Sequence, residues 1–227
     1  GAADFDEARD KIIMGIERED FIRDEEKNII AHHEAGHALV AKLYPGADPL
    51  EKVTIIPRGR SLGATELIPE EDRYNLTRSY VLGRIAVLLG GRAAEELILN
   101  DMSSGAGDDL KKATELARKM VCQWGMSDTL GPVTFRQGEE HPFLGREIAQ
   151  QKDFSEATAR QIDEEIQDII KQARKEVDDL LKENREVLET LARELLEKET
   201  LSKEEIETLF QEKGVEGFSS DTEHGGA

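Results

Sequence analysis

Between Ile29 and Ala41 the chain reads Ile-Ile-Ala-His-His-Glu-Ala-Gly-His-Ala-Leu-Val-Ala, an apolar run with histidines and a glutamate fixed in its middle. Ile29, Ile30, Ala38, Leu39 and Val40 cover more than one face of a helix. Such a helix belongs inside a fold, and Pro45-Gly46 stops it. His33, Glu34 and His37 follow the pattern H-E-x-x-H. Residues four apart lie one turn apart on one helical face. His33 and His37 are therefore spaced to hold one tetrahedral Zn²⁺, with Glu34 beside the open position as general base. The pattern is short, and only its surroundings turn it into chemistry.

Composition narrows those surroundings. A net charge of −19 disfavours nucleic acid and anionic membrane as partners, because phosphate binding needs clustered Lys and Arg. The single cysteine, Cys122, excludes an internal disulfide framework and reads as core filling on a helix. No run approaches the roughly 20 apolar residues of a membrane span, and the N-terminus lacks a signal-peptide core. With 38% hydrophobic and 35% charged residues in 227, the expectation is a helix-rich, mainly α (α+β) chain with a charged exterior.

Along the chain, residues 4–18 read as a helix. Gly36, in mid-helix, costs roughly 1 kcal/mol against Ala, which points to another backbone approaching closely. The β-branched run 53–56 and residues 62–68 read as a hairpin or two neighbours in a small sheet, each closed by a proline. An extended segment close to a zinc helix is a place where a peptide can add as a further strand. Residues 76–99 form a central helix in which Gly90-Gly91 again permits close packing. Arg92, Glu95 and Glu96 follow its buried stretch, and the two readings are that at least one serves a partner inside or that they form a solvated helix end. After a loop at 103–107 a helix runs to about residue 124, and 125–154 is irregular, with His141 a loop residue. From Ser155 two long packed helices break near Asn184. Ser202-Lys203-Glu204-Glu205 is a capping box that opens a last short helix.

A catalytic zinc takes three protein ligands and leaves one position for water. An extended metzincin motif would need Gly at Val40 and His at Leu43, so that class is excluded. The third ligand must come from elsewhere. Asp109 shares a helical line with Ala113, Leu116 and Met120, the side facing the core. Asp108 lines up with Lys112, Glu115 and Lys119, the wet side. Asp109 is thus the first choice, and Glu95 or Glu96 the second.

Several blocks occur together and in order. They are Ala31-His32-His33-Glu34-Ala35-Gly36-His37-Ala38, Gly90-Gly91-Arg92-Ala93-Ala94-Glu95-Glu96 and Ser104-Gly105-Ala106-Gly107-Asp108-Asp109-Leu110. Gln123-Trp124-Gly125-Met126-Ser127 and Glu197-Lys198-Glu199-Thr200-Leu201 follow. With these, residues 4–210 resemble the peptidase domain of the FtsH-type membrane-bound AAA+ zinc proteases. The resemblance implies that His33, His37 and Asp109 bind one zinc per chain, that Glu34 is catalytic, and that Glu95 supports a ligand from behind. His32 stands where the family usually has Tyr, which leaves the ligand set intact.

It also implies a parent protein in the inner (cell) membrane with this domain on the cytoplasmic side, assembled as a homo-hexamer and fed with unfolded polypeptide by an ATPase module. This chain has no phosphate-binding Gly-x-x-x-x-Gly-Lys-Ser/Thr loop, so ATP would be used only by a module outside it. The expected organisation is a linking segment at 1–23, a zinc protease core at 24–154, C-terminal helices of the same domain at 155–211 and a flexible tail at 212–227. The expectation is a soluble cytoplasmic piece with no membrane contact and no nucleic-acid partner of its own. The competing readings are a structural zinc without catalysis and an acidic helical assembly module.

Overall fold

In the computed structural model, which describes residues 22–57, 62–68, 75–135 and 154–215, the histidine-bearing run forms α1 (Asp24–Leu43). No side chain caps its start, but Asp24, Glu25 and Glu26 fill the first turn, where the helix dipole favours negative charge. Two short strands follow, β1 (Leu50–Thr54) and β2 (Ala64–Leu67). Thr77 accepts from the N–H of Tyr80 and opens α2 (Arg78–Leu99). Asn100, in the left-handed region at φ 54°, ends it. A 3₁₀ turn (Ser104–Ala106) leads into α3 (Gly107–Cys122).

Ser155 caps α4 (Glu156–Glu183), and α5 (Arg185–Lys198) begins directly after Asn184. Glu199, at φ 60°, turns the chain into β3 (Thr200–Ser202). The capping box of Ser202 and Glu205 then opens α6 (Lys203–Glu212). The class is mainly α (α+β), with six helices among the described residues and one small sheet. None of these helices is long and apolar enough to cross a membrane.

The sheet has the order β2-β1-β3, antiparallel throughout, with Val53 opposite Thr65 on one side and Leu201 on the other. It differs from the sequence expectation in two ways. The first strand runs from Leu50 to Thr54 rather than over 53–56, because the Thr54 hydroxyl accepts the Ile56 N–H at 3.1 Å and Pro57 has none to offer. The third strand, between α5 and α6, was not expected at all. Its three residues are too few to show a period, and it exists through pairing with β1 some 146 positions away.

Two hydrophobic cores lie on opposite sides of α2. Ala86, Val87, Ala93 and Ala94 join α1, the sheet, α5 and α6 in the first. Val81, Ile85 and Leu89 join α3 and the N-terminal part of α4 in the second, where Cys122 is buried filling. The expected close approach is found between α1 and α2: a Cβ on Gly36 would stand 2.5 Å from the Gly90 carbonyl oxygen, and one on Gly90 would stand 2.8 Å from the oxygen of Gly36. The expected helix at 4–18, His141 and the tail beyond 215 lie outside the described residues.

Candidate metal centre

The face of α1 that looks at α2 carries His33 and His37, and one stripe of α2 receives both. His37 Nδ1 donates to the Val87 carbonyl at 2.7 Å. One turn on, Gly91 lets the His33 ring lie against the α2 backbone, where any Cβ would be 2.5 Å from its Nε2. A further turn on, Glu95 Oε1 accepts from His33 Nδ1 at 2.6 Å. Glu95, 1% exposed, is itself held by Ser103, whose backbone N–H donates to Oε2 at 2.6 Å and whose hydroxyl donates to Oε1 at 3.1 Å. The left-handed turn at Asn100 is what brings Ser103 back to this position.

These outer bonds decide the state of the inner nitrogens. A carbonyl and a carboxylate can only accept, so each Nδ1 carries the proton and each neutral ring turns a lone pair inward at Nε2. The two Nε2 atoms are 3.0 Å apart. Asp109 Oδ2, from the first turn of α3, lies 3.3 Å from that of His33 and 3.5 Å from that of His37. Three electron-pair donors thus converge with no donor hydrogen between them in the neutral rings. That is unfavourable unless a cation sits there. A tetrahedron with metal–ligand bonds of about 2.0–2.1 Å has edges of roughly 3.3 Å, which this triangle matches. His33, His37 and Asp109 are the group among the described residues with metal-ligating geometry.

The field at the site favours positive charge. Burial opposes a charged His33, yet hydrogen bonds to Asp109 and Glu95 and the nearby charges of Glu34 and Glu95 push its pKa up to about 10. Burial also works against an ionised Asp109, and the two imidazoles overcome it and hold its carboxyl well below the usual range. What stabilises a proton here stabilises a metal cation by the same Coulombic means.

Glu34 lies close enough to His33, His37 and Asp109 to interact with their charges, and its carboxylate rests against β2. It is buried, and that burial raises its pKa against the lowering effect of the two histidines and of the Thr65 hydroxyl, which donates to Oε2 at 2.7 Å. The face argument for α3 corresponds to what is seen: Asp108, Lys112, Glu115 and Lys119 are exposed, while Ala113 and Met120 are buried. Glu96 takes no part. It faces away from the histidines and pairs with Arg92 at 2.9 Å and Arg174 of α4 at 2.8 Å. His32 donates within its own helix, from Nδ1 to the Asn28 carbonyl at 2.8 Å. Sequence reasoning did not single out Thr65, Ser103 or Gly63, and their spacing carries no signal. A pattern of small and hydroxyl residues beside the motif becomes meaningful only once the sheet is placed.

Two imidazoles and a carboxylate converging beside a buried glutamate define the class of H-E-x-x-H metallopeptidases. Known proteins agree with that class. The sequence profile of peptidase family M41 matches residues 20–209. An ATP-dependent zinc metalloprotease FtsH from Nitrosococcus oceani is 53% identical over 207 residues, 91% of this chain and 32% of its own length. One from Syntrophotalea carbinolica is 50% identical over 212 residues, 93% of this chain and 33% of its own. FtsH 4 of Sphaerobacter thermophilus is 51% identical over 207 residues, 91% of this chain and 32% of its own. The chain spans about a third of the length of the curated relatives it matches. It belongs to peptidase family M41.

Proposed function

We propose that the chain is the proteolytic domain of an ATP-dependent, processive, membrane-bound protease that degrades unfolded or damaged membrane and cytoplasmic proteins. The observation that carries the catalytic part is the convergence of His33, His37 and Asp109 beside Glu34. The two histidines and Asp109 would hold one Zn²⁺, and Glu95 fixes the tautomer and tilt of His33. When bound, zinc supplies Lewis acidity, acidifying a water molecule and polarising a peptide carbonyl. Glu34 accepts the proton that the attacking water gives up and passes it to the leaving amine. Its raised pKa suits both halves of that transfer.

Among the described residues, β2 pairs with β1 on one side only. A polypeptide laid along its other edge would gain main-chain hydrogen bonds next to α1. Extended, unfolded segments meet that requirement and folded ones do not. The relatives' names support an ATPase module outside this chain, which residues 1–23 would join to a protease core at 24–154, with 155–211 its C-terminal helices. The assembly would be a homo-hexamer, anchored in the cell membrane with this domain in the cytoplasm.

The deciding experiment measures zinc content and cleavage of an unfolded protein together. Wild type should bind one zinc and cleave, and Glu34→Gln should keep the zinc and lose cleavage. Undiminished cleavage by Glu34→Gln would reduce the metal to a fold staple, and absence of zinc would favour an assembly module.

A further inference from the structure

We propose that strand β2 is the positioning device of the general base, with Thr65 and the bare backbone at Gly63 together fixing the direction of the Glu34 carboxylate. The proposal rests on the assignment of Glu34 as that base. The terminal torsion of a glutamate is broad and roughly two-fold, so an untethered carboxylate has no single direction. Here both sides of it are determined. Thr65 Oγ1 donates to Oε2 at 2.7 Å and also lies 3.3 Å from the Glu34 carbonyl oxygen. Two residues earlier, just ahead of the strand, a Cβ on Gly63 would stand 2.6 Å from Glu34 Oε1, 2.8 Å from its Cγ and 2.9 Å from Ile30 Cγ2. One oxygen is tied by a hydroxyl; the other is walled by backbone that leaves no room for a side chain.

The tether is itself rigid. Threonine is branched at Cβ and stiff at χ1, so the hydroxyl direction follows the strand. The strand is fixed by the pairs Val53–Thr65 and Thr54–Ala64. On its far edge β1 is held by β3, where Thr54 and Thr200 share a hydroxyl hydrogen bond of 2.8 Å. A line of support therefore runs from the C-terminal strand through the sheet to one carboxylate oxygen. Proton transfer requires that oxygen's neighbour to stay within hydrogen-bond reach of the attacking water, and displacement by about 1 Å can cost a hundredfold in rate.

The test uses the zinc-loaded chain and an internally quenched unfolded peptide, with zinc stoichiometry and thermal unfolding measured alongside kcat and KM. Thr65→Val removes the hydroxyl at nearly constant shape. It should lower kcat by roughly 10- to 100-fold while KM, zinc content and unfolding temperature stay near wild type. Thr65→Ser should restore most of kcat. Gly63→Ala should lower kcat with zinc retained. Full kcat in Thr65→Val would overturn the proposal, as would a loss that tracks zinc or unfolding temperature, or one that serine does not rescue. An inactive wild type, or Glu34→Gln as active as wild type, would instead overturn the assignment of the base.

Discussion

Gly91 gives His33 its seat: the imidazole lies where a side chain on α2 would otherwise be, 2.5 Å from the position of an added Cβ. The ring is also tied at Nδ1 to Glu95, on the same helix. It cannot step aside without breaking that bond. Gly91→Ala should therefore weaken zinc binding by about 10- to 100-fold, the range seen when groups behind a metal ligand are disturbed. Competition with a chelator measures it, and helical circular dichroism close to wild type would separate the effect from unfolding. Wild-type affinity would mean that the ring has freedom the structure does not give it.

Asp108 and Asp109 are adjacent carboxylates with opposite expected consequences. Asp109→Ala removes an oxygen within 3.5 Å of both Nε2 atoms and should abolish stoichiometric zinc. Asp108→Ala touches an exposed position and should leave zinc content and cleavage as they are. Metal analysis of the two purified variants decides the matter, and the reverse outcome would overturn the assignment of faces on α3.

Glu95 and Glu96 separate in the same way, with a pH signature added. Glu95→Gln should weaken zinc binding, and Glu96→Gln should not. Hydrogen bonds from Arg174 hold the Glu96 carboxyl below its ordinary value of 4.5. A lowered folded-state pKa adds stability above the unfolded pKa, and that stability is lost as pH falls through the folded value. Glu96→Gln should thus unfold at lower temperature than wild type at pH 7, with the gap closing below about pH 4. Melting curves at several pH values check the sign; a gap that widens on acidification would refute it.

At Gly36 two effects compete. Alanine gains roughly 1 kcal/mol in a helix interior. Against that, its methyl would meet the Gly90 carbonyl oxygen at 2.5 Å, and forcing extra atoms into a packed interior costs about 1–3 kcal/mol. The obstacle is backbone and cannot rotate away, so the cost falls at the upper end and wins. Gly36→Ala should lower the midpoint of urea unfolding; a raised midpoint would show that the helices can separate without loss.

Much of this was legible in the sequence because it is local. Stripes at helical spacing set α2 to α5, Asn184 marked the break between the long helices, and the two lines of α3 told Asp109 from Asp108. Gly36 and Gly90 announced a close approach without saying to what. Spacing alone left Glu95 and Glu96 tied and only the family resemblance favoured Glu95; their partners, His33 and Arg174, lie 62 and 78 positions away. Thr65 and β3 were invisible for the same reason. Their roles come from pairings between distant segments, which periodicity cannot report.

The two cores on either side of α2 have a temporal consequence. His33 and His37 belong to a helix packed in one core, and Asp109 opens a helix packed in the other. The strand that holds Thr65 shares a sheet with residues 200–202. With His33, His37 and Asp109 as the proposed ligands, a chain emerging from the ribosome has two of the three until α3 is made, and lacks the third strand until residues 200–202 are made. On the proposed function, the order of the sequence itself keeps the site incomplete in a half-made chain.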